Sequence, residues 1–254
     1  MLDWFSGIED PSTWVDLLTL VVMEIILGID NLVFISILVS RLPESERTRA
    51  TRIGIGLSVV MRIILLFGIR AVMGLTAPLF TLLGHGFSGR DLILLAGGLF
   101  LIGKATIEIR NKVEGSHDDE QADAKRPPVP LSRILAQIVL VDLVFSLDSI
   151  ITAVGMVPPE QIWVMVCAVI AAVSVMVAFA EPVGRFVNSN PSVKILALSF
   201  LVLIGAVLVA DGTGQHIPKG YIYFPLAFSV SVEALNLRFR KNVKKKDAPP
   251  ATLA

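Results

Sequence analysis

The chain has 254 residues, of which 54% are hydrophobic and 17% are charged, and its formal net charge is zero. Soluble domains are about 25% charged, so this composition favours an all-α membrane protein over a soluble globular one. The charge balance gives no indication of a nucleic-acid partner, and the single cysteine, Cys167, excludes a disulfide within the chain.

Seven apolar segments are each long enough to cross a hydrocarbon core of about 30 Å as a helix. In chain order the predicted spans are 13–39, 53–75, 91–109, 134–157, 162–180, 193–210 and 221–237. Between the third and fourth spans, residues 111–132 are polar, charged and proline-rich, which predicts a cytoplasmic linker. Residues 241–254 are basic, and we expect a cytoplasmic tail there, close to anionic headgroups.

The positions of the basic residues predict the orientation of these spans. If the N-terminus lies outside the membrane, seventeen of the 22 Lys and Arg residues fall on the cytoplasmic side and two fall outside. Cytoplasmic loops carry such an excess of positive charge. The sequence therefore predicts a multi-pass protein of the cell (inner) membrane with a cytoplasmic C-terminus.

Two segments repeat each other at an interval of 118 residues, and each carries two acids within an apolar span. The first contains Glu24, Asp30 and Asn31, and the second contains Asp142, Asp148 and Ser149. An ionised carboxylate at the centre of a bilayer costs about 2.5–3.5 kcal/mol, and such residues mark ion and proton pathways. A polar network that only holds helices together is the alternative.

The spacing of the two motifs predicts a 3+3 inverted repeat. Three spans, an odd number, separate the motifs, so residues 13–110 and 133–211 would cross the membrane in opposite directions. The span at 221–237 would be an extra helix outside the repeat. Inverted repeats are common in secondary transporters, which bind their substrate near the membrane midplane.

Helix geometry predicts how the four acids are grouped. Residues six apart on a helix are about 9 Å apart along its axis and about 120° apart in direction, so one helix cannot bring both of its acids to one small ion without unwinding. We therefore expect two layers, with Glu24 beside Asp148 in the outer one and Asp30 beside Asp142 in the inner one.

The predicted metal ligands are carboxylates, an amide and a hydroxyl, all of them hard oxygen donors that suit Mg²⁺, Ca²⁺ or Mn²⁺. Acids that lie close together repel one another, so some would be protonated without metal, and metal binding would release protons. This gives a route to metal/proton exchange. We expect Arg62 to be a charge partner of one acid, with a direct role in transport as the alternative, and Glu233 to be either a ligand or a salt-bridge partner.

At these motifs the chain resembles the TerC family of integral membrane proteins, within the wider LysE-type exporter superfamily. The resemblance rests on residues 24–31 and 142–149, and on residues 220–224 and 233–238 near the end. It implies export of manganese from the cytoplasm, with Mn²⁺ as the transported substrate and the four motif acids as transport residues.

Two other functions stay open at this point. A membrane scaffold that assists assembly, or delivers metal to another protein, would tolerate Asn in place of the acids. An intramembrane aspartyl protease needs two Asp on two spans, and residues 28–30 faintly resemble its GxGD pattern. The sequence has no GxSxG motif, Walker loop or Cys/His pair, so acyl transfer and nucleotide hydrolysis lack support and we expect a transporter rather than an enzyme.

Overall fold

A computed structural model describes residues 8–82, 84–114, 129–157, 161–218 and 220–246, apart from the side chains of Asp30, Arg70 and residues 241–246. The chain divides into two compact units, Met1–His216 and Ile217–Ala254. The described residues form eight helices and one β-hairpin. In chain order these are α1 (Pro11–Val39), α2 (Glu44–Phe67), α3 (Ile69–Gly74), β1 (Pro78–Leu82), β2 (His85–Ser88), α4 (Gly89–Glu114), α5 (Leu131–Met156), α6 (Ile162–Ser189), α7 (Pro191–Gly212) and α8 (Gly220–Lys246).

Six of these helices, namely α1, α2, α4, α5, α6 and α7, are long and apolar enough to cross a membrane. They correspond to the first six predicted spans. Helix α8 contains the predicted span 221–237 but is not among these six candidates, because polar residues such as Glu233 and a basic end dilute its apolar character. The count of seven spans therefore stays a prediction.

Several helices are longer than the apolar segments that predicted them. Helix α2 begins at Glu44, and carboxylates in its first turn interact favourably with the helix dipole. It ends at Phe67 rather than at residue 75, because Gly68, a poor helix former, separates it from α3. Helix α6 continues beyond residue 180, through Pro182, to Ser189.

Helices reach into both ends of the predicted linker and into the first part of the predicted tail. Residues 111–114 belong to α4 and residues 131–132 to α5, while 115–128 lie outside the described residues. Helix α8 extends to Lys246, so the first part of the predicted tail is helical, and 247–254 lie outside the description. Lysine is a good helix former, which explains why a helix can continue into a basic segment.

The described residues are mostly helical, as predicted, and one β-hairpin is a departure from the all-α prediction. Strand β1 pairs antiparallel with β2 between α3 and α4, and Phe80 stacks on Phe87 with ring centroids 5.4 Å apart. Gly84 adopts φ +82° in the turn between the strands, a conformation that glycine allows at little cost. A ribbon this short carries too little alternation of polar and apolar residues to be told from a loop by sequence.

Within the first unit, the helices pack mainly in three pairs: α1 on α6, α2 on α5, and α4 on α7. The backbones of α4 and α7 approach each other closely. A Cβ added to Gly98 would lie 2.6 Å from the carbonyl oxygen of Gly205, and one added to Gly205 would lie 2.8 Å from that of Gly98. Because a Cβ on Gly212 would similarly lie 2.8 Å from the carbonyl oxygen of Asp91, the two helices run antiparallel.

The N-terminus of α1 is fixed by a side-chain cap. The carboxylate of Asp10 accepts a hydrogen bond from the backbone N–H of Ser12 at 2.9 Å. This bond favours the ionised form and lowers the pKa of Asp10, which lies just before the membrane-spanning segment. The cap satisfies one backbone donor that the first turn leaves without an intrahelical partner.

Candidate cation site

A cluster of buried charges lies where α1, α2 and α5 meet. Helix α1 supplies Glu24, α2 supplies Arg62 and α5 supplies Asp142, and these residues are only 6%, 4% and 4% exposed. The Arg62 guanidinium contacts the Glu24 carboxylate through Nη1 and donates a hydrogen bond from Nη2 to Oδ1 of Asp142 at 3.1 Å. The packing of α2 on α5 brings the arginine to this position.

We call this cluster the Glu24–Arg62–Asp142 triad, and the charges of its three side chains do not cancel. With both acids ionised, two carboxylates and one guanidinium leave one formal negative charge. Moving an ion from water into a protein interior costs several kcal/mol unless it is paired. The three side chains of the triad therefore leave one buried negative charge that none of them offsets.

Polar side chains from both motifs surround Asp142. Asn31 Nδ2 donates a hydrogen bond to Oδ1 of Asp142 at 3.3 Å, and Ser146 Oγ donates to Oδ2 at 3.3 Å. Ser149 Oγ in turn donates to the backbone carbonyl of Ser146 at 3.3 Å. The Asn31 contact joins the first motif directly to the second, although the two residues are 111 positions apart in sequence.

The remaining described acid of the motifs, Asp148, belongs to a different cluster. Arg90, at the start of α4, donates a hydrogen bond from Nη2 to Oδ1 of Asp148 at 2.7 Å. Asp91 follows it and accepts hydrogen bonds from the backbone N–H and the Oγ of Ser88, at 2.9 and 2.7 Å. The side chains of this Arg90–Asp148 pair are 23% and 15% exposed, so the pair is more accessible than the triad.

These contacts differ from the two layers that the helical rise predicted. Glu24 and Asp142, expected in separate layers, share one guanidinium, and Asp148 accepts a hydrogen bond from Arg90. The predicted layers rested on the position of each acid along its helix axis and not on the direction in which its side chain points. Positions six apart on α5 face different neighbours, so Asp142 meets α2 and Asp148 meets the start of α4.

Two predicted site residues stay untested by these contacts. The backbone of Asp30 is part of α1, but its side chain lies outside the described residues. Glu233 lies on α8, in the second unit, and its role as ligand or charge partner stays a prediction. Among the side chains that the structure describes, no group of three or more His, Cys, Asp or Glu residues is placed to hold a metal ion.

Sequence reasoning did not single out Arg90, Asp91 or Ser88 as site residues. Arg90 did carry a signal, because it is one of only two basic residues that the predicted topology leaves on the outer side. A lone cation beside a span rich in acids is a candidate partner. Asp91 and Ser88 carried no comparable signal, because their contact depends on the turn that joins β2 to α4.

Gly28 lies between the two acids of the first motif and permits a close approach of helices. A Cβ at this position would lie 2.6 Å from the Sδ of Met176, on α6. Helix α1 runs through Gly28 without a break, and α5 runs through Ser146 at the matching position. The unwinding that would bring both acids of one helix to one ion is therefore not present in this structure.

The chain is similar to known proteins along nearly its whole length. Residues 9–248 match the Integral membrane protein TerC family. A UPF0053 protein of Haemophilus influenzae is 49% identical over 240 residues, which cover 94% of this chain and 100% of the relative. The UPF0053 inner membrane protein YgdQ of Escherichia coli is 48% identical over 239 residues, covering 94% and 98%.

A longer relative matches over part of its own length. The UPF0053 inner membrane protein YoaE of Escherichia coli is 48% identical over 233 residues, which cover 92% of this chain and 44% of the relative. No solved structure matches the chain. Membership of the LysE-type superfamily stays a prediction. The match over residues 9–248, together with six helices able to span a membrane, makes this chain a member of the TerC family of integral membrane proteins.

Proposed function

We propose that this protein is a secondary transporter that exports a hard divalent cation, with Mn²⁺ as the first candidate, from the cytoplasm. The observation that carries the proposal is the triad, because it joins the equivalent acids Glu24 and Asp142 of the two motifs at one buried point. Ionisable residues inside membrane spans are costly and mark substrate and ion pathways. The names of the relatives support a location in the inner membrane.

The pattern of helix packing supports an inverted repeat as the transport framework. The 118-residue interval between the motifs makes α5 the counterpart of α1 and α6 the counterpart of α2. If the two halves are exchanged, α1 takes the place of α5 and α2 takes the place of α6, so the contact of α1 with α6 becomes the contact of α5 with α2, and both contacts are present. The antiparallel helices α4 and α7 exchange with each other, so their contact is converted into itself. A pseudo-two-fold axis in the membrane plane requires this arrangement.

In the mechanism that we infer, Arg62 acts as a tethered cation that exchanges with the transported metal. A divalent ion that entered between Glu24 and Asp142 would take over the positive charge that the guanidinium supplies. When the metal left, Arg62 would return, so that neither buried carboxylate is left unpaired. Asn31 and Ser146 hydrogen-bond to Asp142, and Ser149 contacts the backbone carbonyl of Ser146. The amide oxygen of Asn31 and the hydroxyl of Ser149 are oxygen donors of the kind that Mn²⁺ and Mg²⁺ accept.

Proton exchange would complete the charge balance. Protonation of an acid of the triad neutralises the remaining negative charge without metal, and metal binding would release that proton. Everted membrane vesicles containing the protein should therefore take up Mn²⁺ faster when a pH gradient is imposed. Uptake that is the same with and without the gradient would reject proton coupling, while leaving transport itself intact.

The transport proposal is tested by measuring intracellular manganese in cells challenged with Mn²⁺. Cells expressing the wild type should hold less manganese than cells with an empty vector, and the Glu24→Gln and Asp142→Asn variants should lose at least about tenfold of this activity. Asp16→Asn is the matched control, because Asp16 lies on the same helix as Glu24 and takes no part in the triad. Equal manganese in cells with wild type and Asp142→Asn, at equal protein levels, would sink the proposal.

The same variants separate the two other functions. A scaffold would keep its function when Asp142 becomes Asn, because the amide retains the shape and a hydrogen-bonding oxygen. A protease with an Asp dyad would lose activity in Asp30→Glu, because two carboxylates that share a proton need fixed spacing, whereas metal transport would survive in part.

A further inference from the structure

A cavity of about 730 Å³ lies between the C-terminal half of α1, the N-terminal half of α2 and the C-terminal half of α6. It is separate from the triad and from the Arg90–Asp148 pair, since none of their residues lines it. Its position at the ends of three membrane-spanning helices puts it at a border between hydrocarbon and water. The basic residues of the sequence predict that this border is the cytoplasmic one.

One end of the cavity is lined by basic, hydroxyl and amide side chains. Arg47, Arg52 and Arg185 line it, together with Thr48 and Asn188. These side chains are donors for phosphate oxygens, and arginine matches phosphate in a bidentate geometry.

Two of the three arginines make contacts that either hold the side chain in place or offset its charge. Arg47 is held in place by hydrogen bonds from Nε to the carbonyl of Leu42 at 2.9 Å and from Nη2 to the carbonyl of Ser40 at 3.1 Å. Two acids also line the cavity, and one of them, Glu181, lies 3.7 Å from Arg185. The lining keeps an excess of one positive charge over negative charge.

The other end of the cavity is apolar. It is lined by residues that include Val59, Val173 and Val177. Val177 is 52% exposed, and α2 presents further exposed apolar residues, Val60 and Ile64, beside the cavity. This surface faces lipid in a protein whose helices span a bilayer, so the apolar end opens towards acyl chains.

We propose that this cavity binds one anionic phospholipid, with its phosphate at Arg47 and Arg52 and one acyl chain along Val59 and Val177. A free inorganic anion would make no use of the apolar end. A zwitterionic lipid would gain less from the excess of positive charge. Each basic residue near an anionic lipid surface contributes about 1 kcal/mol, which corresponds to about fivefold in affinity.

The test uses the purified full-length protein in detergent, with bound lipid counted by native mass spectrometry during titration with phosphatidylglycerol or phosphatidylcholine. The wild type should prefer phosphatidylglycerol, and the Arg47→Gln/Arg52→Gln double variant should bind it about 25-fold more weakly. Arg49→Gln is the matched control, because Arg49 lies on the same turns of α2 but does not line the cavity, and it should bind like the wild type.

A second variant keeps the test decisive if the arginine variants do not fold. Val59→Trp leaves every charge in place but fills the apolar end, and it should weaken binding of phosphatidylglycerol as well. The proposal is overturned by equal binding of both lipids by the wild type, or by unchanged binding of phosphatidylglycerol by both variants. Displacement of the lipid by millimolar inorganic phosphate, with no effect of Val59→Trp, would instead assign the site to a free anion and also overturn it.

Discussion

The triad and the Arg90–Asp148 pair both join an arginine to a carboxylate, but they differ in how deeply they are buried in the protein. Both consist of an arginine from the first half of the chain that contacts an acid of the second motif. In the triad the side chains are 5–8% exposed, whereas in the pair they are 15% and 23% exposed. The buried arginine also has two carboxylates to neutralise, while the second carboxylate beside Arg90, that of Asp91, is 3.8 Å away and held by Ser88.

This difference shows why the same kind of contact has different consequences. Water and counter-ions screen the accessible pair, and exposed ion pairs contribute about 0.2–1 kcal/mol to stability. A buried ion that loses its partner destabilises a protein by about 3–5 kcal/mol. The degree of burial should therefore distinguish an arginine that the stability of the fold requires from one that only blocks access to an acid.

The largest effect is expected for Arg62→Gln. This substitution leaves Glu24 and Asp142 buried without their shared cation, so the free energy of unfolding should fall by about 3–5 kcal/mol. Unfolding of the purified protein in detergent, followed by circular dichroism during heating, measures this. Arg62→Lys is the control and should lose less, because it keeps the charge. A variant Arg62→Gln as stable as the wild type would show that the triad is neutralised in another way.

An intermediate effect is expected where α4 meets α7, the contact that is its own counterpart in the proposed repeat. Gly98→Ala places a methyl group 2.6 Å from the carbonyl of Gly205 and should cost about 1–3 kcal/mol of unfolding free energy. Gly103→Ala is the matched control on the same helix, since no atom lies within 4 Å of its added Cβ. If both variants unfold at the same temperature, the close approach of the two helices is wrong.

The smallest effect on stability is expected for Arg90→Gln. We expect a change of no more than about 1 kcal/mol in the free energy of unfolding, because the pair is partly exposed. The same variant should bind Mn²⁺ more tightly at Asp148, since it removes a competing cation, and isothermal titration calorimetry measures this. A loss of stability as large as that of Arg62→Gln would remove the distinction between the two clusters.

The sequence was sufficient to predict the six helices that can span a membrane, because an apolar segment of that length must satisfy its backbone as a helix. It was not sufficient for their ends. The first two turns of α2, starting at Glu44, are polar and helical at once, and a search for apolar length passes over them. The β-hairpin was missed because its two strands are too short to show an alternation of polar and apolar residues.

The candidate site could also be predicted only in part from the sequence. A buried acid is visible in a sequence because it interrupts an apolar span, so Glu24 and Asp142 could be identified before their contacts were known. Its partner depends on the face of the helix and on which helices are neighbours. The contact of Arg90 with Asp148 requires α4 to begin where the hairpin ends, and the spacing of residues in the sequence does not predict where α4 begins.

Arg62 has no equivalent in the other half of the molecule. The position 118 residues later, on α6, is Ala180, so the proposed symmetry relates the two acids of the triad but not the cation between them. If the two halves exchanged roles in a second conformation, that conformation would be related to the first by the proposed two-fold axis. Because Arg62 belongs to one half only, the two conformations would hold its guanidinium differently, and we expect the protein to favour one of them at rest.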